Sequence, residues 1–214
     1  MKSKLHKKLT NLLLFSFFLV LTFTLTFVPS FGYIQVGSVS LTTVHLPVII
    51  GAFLLGPIFG SLLGLAFGLG SLIMAFVTGS YNLPFTNPLL SVVPRALLGF
   101  LIGQFSLLLQ RKGKIDSRLR FGYSILGIGF IYVFVSALII SLLYYFVKYD
   151  FYFKKEECPF YLPDVKEAFL SKKILPFVLG VLISNTLLET TLALFIAPVI
   201  IKVVSIIRER SYDY

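Results

Sequence analysis

The chain has 214 residues, 57% of them hydrophobic and 13% charged, with a mean hydropathy of +0.93 and a formal net charge of +10 at pH 7. Apolar runs of membrane-spanning length exclude a soluble domain, and the basic residues fall in short clusters between those runs, which argues against a nucleic-acid-binding face. One cysteine, Cys158, excludes an internal disulfide framework and a thiolate zinc site, and two histidines leave little else for a metal.

In chain order, Lys2, Lys4, Lys7 and Lys8 precede an apolar run that ends at Val28. A signal peptide has a similar head, but VPSFGYI offers no small-residue cleavage site and the run is long for one. The segment therefore reads as an uncleaved first span, about residues 11–28. Pro29 to Thr43 reads as a polar and aromatic surface loop, with an extended hairpin as the alternative. Residues 44–55 form the second apolar segment, and as a helix they rise only about 18 Å, short of a hydrocarbon core of about 30 Å. The third, residues 58–78, carries Gly60, Gly64 and Gly68 in register with Gly56. That spacing makes a seam without side chains on one helix face, against which a neighbouring helix of this chain or a partner protein can pack. Further spans are expected at 89–110, 121–147 and 174–201, with a turn at 81–88 and a mixed-charge loop at 148–173.

Charge parity decides whether Gly56-Pro57 kinks one helix or turns between two. Basic residues concentrate at the N-terminus, between Arg111 and Arg120, and at Lys202, Arg208 and Arg210. The positive-inside rule puts all three groups on the cytoplasmic side, which requires an even number of spans between each pair. Residues 44–55 and 58–78 then count separately and Gly56-Pro57 is a hairpin turn. The expectation is a single all-α integral-membrane domain of six transmembrane helices with both termini cytoplasmic, embedded in a lipid bilayer.

Two charges lie inside the apolar runs, Arg95 and Glu189. Arg95 sits about 12 Å inside the outer end of its helix, with Ser91 one turn above and Pro94 freeing the carbonyl of Leu90. A guanidinium at that depth is held either by loop carbonyls or by a ligand's carboxylate or phosphate, which its planar fork grips well. Glu189, counted from Ile174 and Ile201, falls near the midplane, with Asn185 one turn above and Thr186 and Thr190 beside it. Its readings are a substrate or ion site, an interhelical hydrogen-bond cluster, or a proton relay. His45 stands at the outer mouth of the second segment, as a substrate contact or an interfacial anchor. Tyr149, Phe151, Tyr152, Phe153, Phe160 and Tyr161 form either an aromatic belt or a lid. Gly113-Lys114 is followed by Ile115, so no phosphate-binding loop is present, and neither HExxH nor GxSxG occurs.

TVHLPVIIGA at 43–52, then Leu55-Gly56-Pro57, the Gly60, Gly64 and Gly68 helix, Asn87-Pro88-Leu89 and Ser91-Val92-Val93-Pro94-Arg95 together resemble the substrate-binding (S) components of energy-coupling factor vitamin transporters. The last span, with Asn185, Glu189, Pro198 and Lys202, is similar to that family's final helix, and within the family the pantothenate and cobalamin group looks nearest. The resemblance implies a non-enzymatic six-helix protein that captures a small vitamin outside, pantothenate being favoured. Delivery would need a transmembrane coupling subunit and two cytoplasmic ATPases. It implies Arg95 and Ser91, Asn185 and Glu189, and His45 as substrate contacts, and no cofactor or metal. That family often has an Ala-x-x-x-Ala docking seam on its first helix, which LLLFSFFLVLTFTLTFV lacks, so the Gly60, Gly64 and Gly68 face becomes the expected partner-docking surface. The rival reading is an intramembrane enzyme or membrane assembly factor using Glu189.

Overall fold

A computed structural model describes residues 2–28, 32–36, 39–78, 85–111, 117–148 and 174–210. The expected aromatic lid at 149–161, residues 81–84 of the expected turn and Cys158 lie outside those residues. Five helices are long and apolar enough to cross a membrane, and a sixth apolar helix is shorter. The chain is an almost entirely helical, polytopic membrane protein.

Helix α1 (Lys2–Phe27) leads to a short antiparallel hairpin, β1 (Tyr33–Val36) and β2 (Val39–Thr42), paired Tyr33 to Thr42 and Val36 to Val39. The extended alternative for the first loop is therefore the one observed. Thr43 N–H closes the hairpin base on the Gly32 carbonyl at 2.9 Å. Helix α2 (His45–Leu55) follows at once and lies at the centre of the molecule, with Val48, Ile49 and Ala52 fully enclosed. It packs against α1, α3 (Pro57–Thr78), α5 (Val93–Arg111) and α7 (Ile174–Arg210). An 11-residue helix rises only about 16 Å, so the hairpin in front of it occupies part of the thickness that the longer helices cross.

Between α2 and α3 there is one residue. Gly56 has φ +92, a conformation that L side chains rarely adopt, and Pro57 then starts α3 at the position where its missing N–H costs nothing. Neighbouring faces of the two helices meet across this turn: a methyl group on Gly51 would strike Leu63, and one on Gly60 would lie 2.6 Å from Ala52 Cβ. The two segments thus double back on one another instead of forming one kinked helix.

The fourth span is not continuous as 89–110. Asn87 caps a four-residue helix, α4 (Pro88–Ser91), by accepting the Leu89 N–H at 2.9 Å, and a break at Val92 separates it from α5. Pro94 has no N–H for the carbonyl one turn before it, so the ladder loosens at this level. Helix α6 (Ser117–Lys148) and α7 complete the bundle. Leu13, Ile58, Leu126, Phe130 and Phe195 are all more than two-thirds exposed, the expected surface of helices that face lipid tails.

The glycine face requires a correction. A methyl group on Gly60 would collide with the Gly99 carbonyl, one on Gly64 with the Arg95 carbonyl, and one on Gly68 would lie 2.7 Å from Val92 Cα. The chain's own fourth span fills the seam expected to dock a partner. Gly99 and Gly103 answer from α5 against Gly60 and Pro57, so two backbones approach where both helices lack side chains.

Candidate functional site

The first turns of α2 and α5 and the middle of α7 hold the polar residues that the sequence singled out, and the middle of α6 adds a tyrosine. Glu189, on α7, is 8% exposed and collects donors from three other elements. Its Oε1 accepts the Thr42 N–H at 3.0 Å. Thr43 N–H points across the hairpin to Gly32, so in an alternating antiparallel ladder the Thr42 N–H points away from β1, toward α7. Its Oε2 accepts the Tyr132 hydroxyl at 2.7 Å and lies 3.4 Å from His45 Nε2. Tyr132 Oη is in turn 2.8 Å from that same Nε2, and the rings of His45 and Tyr132 sit 5.1 Å apart. A carboxylate held by three groups has the partners that make burial in an apolar bundle tolerable.

Glu189, midway along α7, lies level with the Thr42 end of the hairpin and the first turn of α2. That is why Glu189 and His45 meet.

Arg95, on α5, turns its side chain back toward the start of the helix. Its Nη1 donates to the Ser91 carbonyl and lies 3.4 Å from Ser91 Oγ. The guanidinium carbon stands 4.7 Å from the centre of the Phe67 ring and 5.7 Å from that of Phe85, within cation–π range of both. Phe67 is fully inside α3, and its ring centre is also 5.9 Å from that of His45. One aromatic ring thus touches both Arg95 and the histidine of the Glu189 cluster. Arg95 and Glu189 form no ion pair with each other. Asn185 stands one turn before Glu189 with its Oδ1 buried and without a hydrogen-bond partner, whereas Thr190 is satisfied by the Thr186 carbonyl at 2.6 Å.

Of the expected contacts, the structure joins His45 to Glu189 and Arg95 to Ser91, and Phe67 links the two pairs. Tyr132, Phe67, Phe85 and the Thr42 N–H were not anticipated. Tyr132 lies in GIGFIYVFV, which reads as an apolar stretch. A tyrosine far from both ends of a span is itself a signal, because its hydroxyl needs a partner when buried. A backbone N–H leaves no trace in sequence at all.

Membrane-crossing helices around an enclosed polar cluster, with one arginine stacked on aromatic rings at its edge, define a polytopic membrane protein with a buried polar centre. The chain belongs to the family of ECF transporter substrate-specific components, which it matches over residues 10–201. It is thus a transporter component and a multi-pass integral protein of the cell membrane. It is also similar to the pantothenate transporter PanT of Leuconostoc mesenteroides subsp. mesenteroides, at 34% identity over 133 residues, covering 59% of this chain and 62% of that protein. The match therefore spans less than two thirds of the relative's length.

Proposed function

We propose that this protein captures a small monocarboxylate vitamin, pantothenate, from the outer side of the membrane, with Arg95 as the anchor for the carboxylate. The observation that carries the reading is the placement of Arg95: a permanent cation in the outer part of a span, oriented by Ser91 and by the faces of Phe67 and Phe85. Glu189, the other intramembrane charge, is turned to His45, Tyr132 and the Thr42 N–H, so the Arg95 guanidinium is the group suited to an anion. Asn185 Oδ1, buried and without a partner, suits a hydroxyl or amide donor elsewhere on the ligand. The relative named a pantothenate transporter supports the same ligand class.

Both termini would lie on the cytoplasmic side, where basic clusters are retained. Delivery would require a transmembrane coupling subunit and two cytoplasmic ATPases. The first test is mass spectrometry of the small molecule that co-purifies with the protein, with equilibrium binding of radiolabelled pantothenate. Arg95→Ala should weaken that binding by about a hundredfold, the loss expected for a charge-assisted contact, while leaving the elution profile intact. Wild-type affinity in Arg95→Ala would remove Arg95 from the site.

A further inference from the structure

The hydrogen-bond donors around Glu189 can be counted, and the count fixes the state of His45. Tyr132 has one hydroxyl proton, which goes to Glu189 Oε2 at 2.7 Å. Toward His45 the same oxygen is therefore an acceptor, so the ring nitrogen 2.8 Å away, Nε2, must carry a hydrogen. That Nε2–H also points to Glu189 Oε2 at 3.4 Å, so this edge of the imidazole is consumed inside the cluster. The other nitrogen, Nδ1, makes no hydrogen bond with any described residue.

We propose that Tyr132 and Glu189 are positioning residues that hold His45 in its Nε2–H form, so that the Nδ1 edge is the one offered to the ligand. This deepens the reading of the cluster as the site for a small monoanion and rests on it. Glu189 acts through the histidine and does not touch the ligand. His45 is the second contact beside Arg95, reached across Phe67.

Without a hydrogen, Nδ1 is an acceptor suited to a hydroxyl or amide N–H of the ligand, while Arg95 takes the carboxylate. The groups facing His45 are Glu189 from α7, Tyr132 from α6 and, across the Phe67 ring, Arg95 from α5. Strand β2 contributes the Thr42 backbone N–H to the cluster.

His45→Gln separates positioning from contact, because a glutamine amide can supply an N–H where Nε2–H was and has nothing at Nδ1. It should fold and elute as the wild type and bind radiolabelled pantothenate about tenfold more weakly. Wild-type affinity in His45→Gln would overturn the proposal. An independent measurement needs no ligand: ¹⁵N-histidine spectra of the full chain in nanodiscs, on a His6→Gln background that leaves His45 as the single label. Nε2–H with bare Nδ1 at pH 8, lost in Tyr132→Phe, is the expected result, and the opposite tautomer would overturn the proposal. Should the wild type not bind pantothenate, the ligand assignment above fails, and the molecule found by mass spectrometry becomes the probe for the same variants.

Discussion

Two regions of this molecule are assembled by opposite means. Along the seam between α3 and α5, Gly60, Gly64 and Gly68 meet the backbone of Val92 to Gly99, and what matters is that nothing protrudes. Around Glu189, four elements are joined by three short polar contacts, and what matters is that each donor finds its acceptor. In lipid, where apolar side chains gain little from leaving one solvent for another that is equally apolar, close backbone approach and buried hydrogen bonds are the two devices that hold helices together. The seam fixes how near α5 comes to α3 and so where Arg95 begins. The cluster fixes where the hairpin, α2, α6 and α7 converge. Damage to the seam should be structural first, and damage to the cluster should be visible in binding even where the fold survives.

The largest expected effect is Gly64→Leu. Its side chain would enter the space of the Arg95 carbonyl, so the helices must separate, at a cost of about 3 kcal/mol or more. A broadened elution profile, a lower melting temperature and loss of ligand binding together are the expected outcome. A monodisperse Gly64→Leu that binds normally would show the seam to be slack. Next comes Glu189→Ala, which leaves the Tyr132 hydroxyl, His45 and the Thr42 N–H without their acceptor at a cost of about 3 kcal/mol, while Glu189→Gln retains acceptor capacity and should lose less. Equal melting temperatures for the two variants would count against a hydrogen-bonded role. The smallest effect is expected at Ser106, whose hydroxyl donates to the Phe53 carbonyl at 2.6 Å and accepts from Gln110. Ser106→Ala should cost about 1 kcal/mol in thermal stability and leave ligand affinity unchanged, because it ties α5 to α2 on the side of the seam away from Arg95.

The fold class was legible because hydropathy and length decide it almost alone. The hairpin at Gly56-Pro57 was legible from charge parity, which treats a chain of spans as a sum of reversals. Arg95, Glu189 and His45 stood out because polar side chains in apolar runs are rare. Two matters were not legible. The occupant of the glycine face was open because periodicity names a face but not its neighbour. Tyr132 was passed over because a tyrosine within an aromatic-rich stretch raises mean hydropathy little and looks like packing.

The sequence by itself determined an all-helical membrane protein, the glycine-lined face of its third span and the few polar residues that could carry recognition. These follow from local composition and from helical periods of three and four residues. Only the tertiary structure decided that α5 fills the glycine seam, that Glu189 meets Tyr132 and a backbone N–H 147 positions away, and that Phe67 stands between His45 and Arg95. The physical reason is that a period specifies which residues share a face, whereas contact between faces depends on helix rotation, depth and neighbour order, which packing of the whole bundle sets at once.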